Sequence, residues 1–281
     1  MFYLHEMNST HSAQEIAQTH YENFPVGSVL FPKHIRNDIF NIYAFSRTAD
    51  DIVDDPSTSV RKKHEQLEEF RAEFLAKSGH IYSFFPDVWK TIENHHLTER
   101  YFLDLLTAFQ QDIDQQSYET LDEIVAYAHY SANPVGRLML ELFGFHKTEL
   151  LSLSDKICSG LQFINFWQDL SVDKKMNRFY VPKQLLSLHG LSLDEFYFLD
   201  KNDSEKQMVL NELFHWTEKN YMEGYDLFTF LNGRFKYEIK LTWLGGYEIL
   251  QRSKKLGTSL LTTRPKLKKI DYIKLILKLF L

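Results

Sequence analysis

An all-α fold in a single domain is what this sequence predicts, and three observations predict it. Apolar residues recur at helical spacing nearly throughout. Proline (7) and glycine (11) are few in 281 residues, and they are scarce inside the long periodic segments. No run alternates apolar and polar residues as a half-buried strand does. With no internal repeat, low-complexity stretch or dividing linker, residues 1–281 are expected to form one all-helical domain, with a basic amphipathic tail at about 266–281.

The elements follow in chain order. Pro25 and Pro32 bracket a short entry segment. From Ile35, the spacing of Ile39, Ile42, Tyr43 and Ser46 predicts a helix with one broad face, running through Asp54 and stopped by Pro56. A second helix is expected over 60–77, and others over about 88–110, 121–143 and 149–173. Pro134 lies inside the 121–143 pattern and should kink it, because proline removes a ladder hydrogen bond. The stretch 177–190 contains Pro182 and reads as loop and short turns; two long helices follow, over about 204–232 and 235–255. Gly245 and Gly246 interrupt the last of these at roughly 1 kcal/mol each against alanine, which close helix contact would offset.

Composition narrows the function. Hydrophobic residues are 44% and charged residues 25%, a globular balance with a net charge of −6. The single cysteine, Cys158, excludes a disulfide within the chain and a cysteine-based zinc site, and fits a reducing, cytoplasmic setting. The opening residues lack a basic start followed by an apolar run, so no signal peptide is expected, and no apolar stretch reaches the length of a membrane span. Aromatics are 15%, with 23 Phe and 15 Tyr, enough to build a core or to line a cavity for a long apolar or cationic species. From Arg252 to Lys278 there are nine Lys/Arg and one acid, a local balance of +8 that leaves −14 on the rest. Because that basic charge sits in a tail and not along a groove, no nucleic-acid partner is expected.

Two acidic clusters carry the chemistry. In Arg47-Thr48-Ala49-Asp50-Asp51-Ile52-Val53-Asp54-Asp55, Asp50 and Asp54 share a helix face, as do Asp51 and Asp55. Like charges at that spacing repel, so either the helix end is solvated or the carboxylates serve a hard cation such as Mg2+, which takes one or two carboxylates plus substrate phosphates. Asn165, Asp169 and Asp173 form a second stripe, set among Ile164, Phe166, Trp167, Leu170 and Val172. A polar stripe in such surroundings is costly unless paired or metal-bound; the plainer alternative is the wet face of an amphipathic helix. Together the clusters suggest a clamp for Mg2+ and a diphosphate. Arg47 and Arg178 are candidates to grip phosphate oxygens, and Tyr43 to donate to them, although ordinary ion pairs and packing suit the same residues. Tyr127-Ala128-His129-Tyr130-Ser131-Ala132-Asn133-Pro134-Val135-Gly136 sets small residues and polar tips into an apolar helix, either for tight packing or to present Tyr127 and Tyr130 to a carbocation.

These pieces, in this order, resemble the squalene/phytoene synthase family over roughly residues 23–265. Residues 47–54 look like its first Asp-rich motif. Residues 165–173, followed by Arg178-Phe179-Tyr180-Val181-Pro182, look like the second, and residues 127–136 like its tyrosine-rich helix. Glu22-Asn23-Phe24-Pro25-Val26, Tyr130-Ser131-Ala132-Asn133-Pro134-Val135-Gly136-Arg137 and Asn165-Phe166-Trp167-Gln168-Asp169 are most similar to the branch that makes hydroxysqualene in bacterial hopanoid synthesis. Sister enzymes more often carry Val-Ala-Gly at 131–133 and Arg at 168, and many relatives have Gly at 177, where this chain has Asn177.

The resemblance implies an all-α isoprenoid synthase fold with a central cavity between helices. It implies Mg2+ held by Asp50, Asp54, Asp169 and Asp173, with Asp51 and Asn165 assisting. Tyr43, Arg47, Arg178 and Asn165 would bind the diphosphate, and Tyr127 would steer the cation left when presqualene diphosphate ionises. Water capture would give hydroxysqualene. Condensation of two farnesyl diphosphates, to presqualene diphosphate or on to squalene or dehydrosqualene, is the alternative. Whether a separate presqualene diphosphate synthase hands over the substrate stays open. So does the tail, which either lies on the inner face of the cytoplasmic membrane or docks on the protein.

Overall fold

The computed structural model describes residue 13 and residues 31–279; Pro25, the 22–26 stretch, and Phe280 and Leu281 of the tail lie outside the described residues. Helix α1 (Arg36–Asp54) forms because Ile39, Ile42, Phe45, Ala49, Ile52 and Val53 recur on one buried face. It ends where Asp55 turns to extended backbone ahead of Pro56. Ser59 caps α2 (Val60–Leu75) by accepting from the Lys62 N–H.

The helix expected over 88–110 is two helices, α3 (Phe85–His95) and α4 (Glu99–Asp114). His96 adopts φ 51° between them. The buried carboxylate of Glu141 accepts from Thr98 N at 2.7 Å and Thr98 Oγ1 at 2.7 Å, satisfying donors at the start of α4.

Thr120 caps α5 (Leu121–Ser131), and α6 (Asn133–Leu142) follows after a break at Ala132. The kink expected from Pro134 is therefore present, as a division into two helices. The helix expected over 149–173 is α7 (Thr148–Gln168) and α8 (Leu170–Asp173), with Asp169 off helical geometry between them. The hydrogen-bond ladder survives the break: Asp169 N donates to Asn165 O at 2.9 Å, and Asp173 N to Asp169 O at 2.8 Å. A 3-10 turn (Lys174–Met176) closes at Asn177 with φ 60°. That left-handed position suits Asn or Gly, which explains the Asn-for-Gly difference noted in the sequence.

The stretch expected as loop holds α9 (Lys183–Leu188), and α10 (Leu193–Tyr197) follows it. The helix expected over 204–232 ends early, as α11 (Asp203–Glu223), a 3-10 turn and α12 (Leu227–Phe230). A Cβ at Gly224 would lie 2.6 Å from Ile157 Cγ1, so the chain passes α7 too closely there for any larger residue. Next come α13 (Gly233–Leu256), a 3-10 segment (Gly257–Leu261) and α14 (Lys269–Lys278).

The described residues divide into two compact units. One holds α1 to α4 and the chain from Pro134 to Lys147. Its core is a cluster of rings around Phe45, with Phe74 at 4.8 Å, Phe102 at 5.0 Å and Phe70 at 5.1 Å between centroids. The other holds residues 115–133 and the chain from Thr148 on. There α7 packs against α5, α11 and α13. Tyr221, fully buried, donates to Trp243 O at 2.9 Å. A Cβ at Gly246 would meet Leu161 at 2.4 Å and the Tyr221 hydroxyl at 2.7 Å, so the close contact expected of the glycine pair belongs to Gly246. Gly245 has no comparable contact, its nearest neighbour being Leu267 at 3.8 Å.

Candidate active site

The first acidic motif lies on the face of α1 opposite its buried stripe. At 100° per residue, Tyr43, Arg47, Asp50, Asp51 and Asp54 fall on one side of the helix. Arg47 is the hub. Its Nη1 donates to Asp50 Oδ2 at 3.0 Å, and its Nη2 donates to Asp51 Oδ1. Burial opposes the charge on Arg47, but Asp51 and Asp50 outweigh it and raise the guanidinium's pKa. Tyr43 is held above the usual tyrosine range, mainly by burial and also by Asp50 and Asp51, against Arg47. Asp54 is exposed one turn on. Asp55 does not join the set. Its carboxylate accepts from Ser57 N, Ser57 Oγ and Thr58 Oγ1, which hold its pKa down at about 2.

The second motif runs from α7 into α8, with Asn165 exposed and Asp169 and Asp173 partly buried. Burial and then the neighbouring Asp169 push the Asp173 carboxyl up to about 7, against the pull of Arg178 and Arg264. Arg178 is tied to this place by its backbone, whose N–H donates to Asp173 O at 3.0 Å.

Arg264 and Lys174 escape sequence reasoning, and the sequence marks Gln168 only as a difference from sister enzymes. Arg264 donates through Nη2 to Asp169 Oδ2 at 3.0 Å and through Nε to Oδ1, a two-pronged pair. Gln168 is buried, and its Nε2 donates to Pro265 O at 2.7 Å. Lys174 Nζ donates to Leu261 O at 2.6 Å. The chain from 261 to 265 is thus strapped to the second motif at both ends, with Arg264 between. The partners are 95 residues apart in sequence, so no local spacing could reveal them; the Arg-Pro pair following α13 is the one available signal.

Tyr127 sits among rings in the same unit. It is buried, 5.9 Å from Tyr118, 6.0 Å from Phe166 and 6.4 Å from Tyr180 between centroids. Phe166 and Tyr180 stack at 3.8 Å and 8°. Tyr180 is brought there by the Arg178-Phe179-Tyr180 segment, where Phe179 N donates to Gln116 O at 2.8 Å in a lone β-bridge region. Ring faces so gathered offer negative π-density to a cation.

A separate polar cleft of about 390 Å³ is lined by His34, Asp38, Asn41, Lys90 and Asn94 among others. None of the residues of the acidic motifs lines it.

Among the described residues, no three His, Cys, Asp or Glu side chains converge into a full metal cage. The donor chemistry nevertheless suits Mg2+, which prefers oxygen ligands and keeps open positions for water and phosphate. Asp173 in particular is a carboxyl that lacks enough nearby positive charge to ionise at the usual pH. A divalent cation would supply that charge.

The squalene/phytoene synthase family profile matches residues 17–271. Hydroxysqualene synthase of Rhodopseudomonas palustris is 38% identical over 189 residues, 66% of this chain and 64% of that protein. The Zymomonas mobilis protein of the same name is 36% identical, over 60% of this chain and 57% of its own length. The matched stretch thus spans less than two thirds of these curated relatives. Among solved structures, squalene synthase HpnC from Alicyclobacillus acidocaldarius superposes with a TM-score of 0.79 at 30% identity, covering 87% of this chain and 92% of that one. A dehydrosqualene synthase shares the fold with a TM-score of 0.80 at 20% identity, over 95% of this chain and 94% of its own. The all-α, single-domain isoprenoid synthase fold is therefore the fold of this protein. With a family match that runs through both acidic motifs and the tyrosine helix, the chain belongs to the squalene/phytoene synthase family.

Proposed function

We propose that the protein is a hydroxysqualene synthase, which ionises presqualene diphosphate and lets water capture the rearranged cation. The observation that carries this reading is the 36–38% identity to proteins of that name. The departures at Gln168 and at Ser131-Ala132-Asn133 support it, since they set the chain apart from the sister pattern. A cytoplasmic setting goes with it.

In this reading Asp50, Asp54, Asp169 and Asp173 hold Mg2+, with Asp51 and Asn165 assisting. The metal supplies positive charge to the leaving diphosphate. The chain's own groups do the rest. Arg47, Arg178 and Arg264 donate hydrogen bonds to diphosphate oxygens as negative charge grows on them, and Tyr43 adds a neutral donor. The carbon–oxygen bond breaks, and its electron pair leaves with the diphosphate. Tyr127, with Phe166 and Tyr180 packed beside it, stabilises the cation by its ring face and keeps bulk water away until rearrangement is complete. One water then adds to the cation and gives up a proton, which leaves an alcohol.

A second reading is favoured by one specific likeness, the 30% identity to a protein described as a squalene synthase. It would condense two farnesyl diphosphates head to head. Gas chromatography with mass spectrometry separates the two. The purified protein is given presqualene diphosphate and Mg2+ in one tube and farnesyl diphosphate and Mg2+ in another, both without nicotinamide. Hydroxysqualene from the first and nothing from the second is the expected result. Presqualene diphosphate accumulating in the second tube, with no alcohol in the first, would move the protein to the condensation step.

A further inference from the structure

Helix α14 wears its apolar side outward. The face it turns inward is narrow: Asp271, Leu275 and Leu279, at i, i+4 and i+8, are buried. Asp271 is fixed there by Arg252 Nη2 at 2.8 Å and by the Lys268 N–H at 2.6 Å. The opposite face carries Ile270, Tyr272, Ile273, Ile276 and Leu277, with Ile273 56% and Leu277 63% exposed. A water-facing helix surface is normally polar, and five large apolar side chains on ten residues mark a surface that is covered by something.

The charge around that face says what covers it. Lys266, Lys268, Lys269, Lys274 and Lys278 are all exposed. The single acid of the segment is buried and paired with Arg252, and Lys278 lies 4.0 Å from Glu248, so the charge left at the surface is predominantly positive. Apolar side chains ringed by lysines match an anionic bilayer surface, where the chains enter the acyl boundary and the ammonium groups meet lipid phosphates. A span is out of reach for this element. Ten residues of helix reach about 15 Å, half the hydrocarbon thickness, and no helix among the described residues is long and apolar enough to cross a membrane.

We propose that α14 and the lysines before it form a docking surface for an anionic lipid membrane, with Asp271 and Leu275 holding the helix to the protein and Ile273, Leu277 and Ile270 entering the bilayer. The docked helix and the membrane helix are then one element: its inner edge is anchored on α13 while its outer face stays available. Loading of long-chain substrates from the bilayer is a consequence of the function proposed above, but the surface itself does not depend on that function.

The test is vesicle flotation of the full chain, at low ionic strength and again at high salt. Vesicles of phosphatidylglycerol with phosphatidylcholine are compared with vesicles of phosphatidylcholine alone. The wild-type protein is expected to float with the anionic vesicles and much less with the neutral ones, and salt should weaken binding. Replacing both Ile273→Ser and Leu277→Ser removes buried methylenes from the bilayer and should cut the partition constant at least about tenfold. Lys269→Gln and Lys274→Gln should each cut it about fivefold. All four side chains are exposed, so melting temperature should not move. No flotation by the wild type, or equal flotation by the Ser variant, would overturn the proposal. Concentration-dependent dimers that vanish in the Ser variant, without any vesicle binding, would assign the face to a second copy of the chain instead.

Discussion

Asp173 shows what the second acidic motif lacks. Its carboxyl titrates near 7 in the folded chain, against 3.8 for an ordinary aspartate, because burial and Asp169 both disfavour the anion. Between about pH 4 and pH 7 the folded state therefore holds a proton that the unfolded state has lost. Folding stability falls as pH rises through that window, and the full penalty is present above it. Partial exposure and coupling to Asp169 limit the effect to roughly 1–3 kcal/mol. Asp173→Asn should therefore flatten the decline of melting temperature with pH, and at pH 8 without divalent ions it should melt above wild type while turning over no substrate. Parallel pH–stability curves for the two proteins would remove Asp173 from this account. Tyr127 makes a different prediction, because it lies in the ring cluster and not among the charges. Tyr127→Phe keeps the ring and should change the rate or product ratio several-fold while leaving inorganic diphosphate affinity within about twofold. Unchanged rate and products would exclude it from steering the cation.

At the scale of elements, legibility followed the range of the causes. The ends of helix α1 were readable almost to the residue, since Pro56 acts locally, but Tyr43 and Ser46, read as part of its apolar face, lie outside the buried stripe and are only half-buried. The split of α3 from α4 was not, because it depends on Glu141 satisfying Thr98 from 43 residues away, and His96 gives no glycine or proline warning. Asp169 and Asp173 were found by spacing, yet the Arg264 pair and the strap that sets it are tertiary. The strap yields a testable coupling. Gln168→Met keeps the bulk of the side chain but loses the donor to Pro265 O. If Gln168 works by setting Arg264, the change should weaken inorganic diphosphate binding in Mg2+ about tenfold in wild type, and under twofold once Arg264 is already Ala. Equal losses in both backgrounds, measured by calorimetry, would mean that Gln168 acts through general packing. No loss in either would leave the strap without a role in the grip.

At the scale of the whole molecule, the charges divide sharply, with +8 from Arg252 to Lys278 and −14 on the remainder, so the acidic motifs belong to a chain that already repels anions. Mg2+ and diphosphate should then depend on each other for binding: the metal offsets the carboxylates, and the anion completes the metal's oxygen shell. Binding to the folded state alone raises stability, by about 2.7 kcal/mol at a hundred times the dissociation constant. For a protein of this size that is a rise in melting temperature of roughly 5–10 °C. Mg2+ with inorganic diphosphate should produce such a rise, and either alone a much smaller one. Asp50→Asn tests the first motif and Asp169→Asn the second; each should fold, lose turnover and lose most of the rise. A variant that keeps the full rise while losing turnover would take its motif out of the diphosphate grip and restrict it to the later, carbocation stage. If Asp50→Asn and Asp169→Asn both keep the rise and both turn over normally, the acidic stripes are solvated helix faces, and the clamp assignment fails for the molecule as a whole.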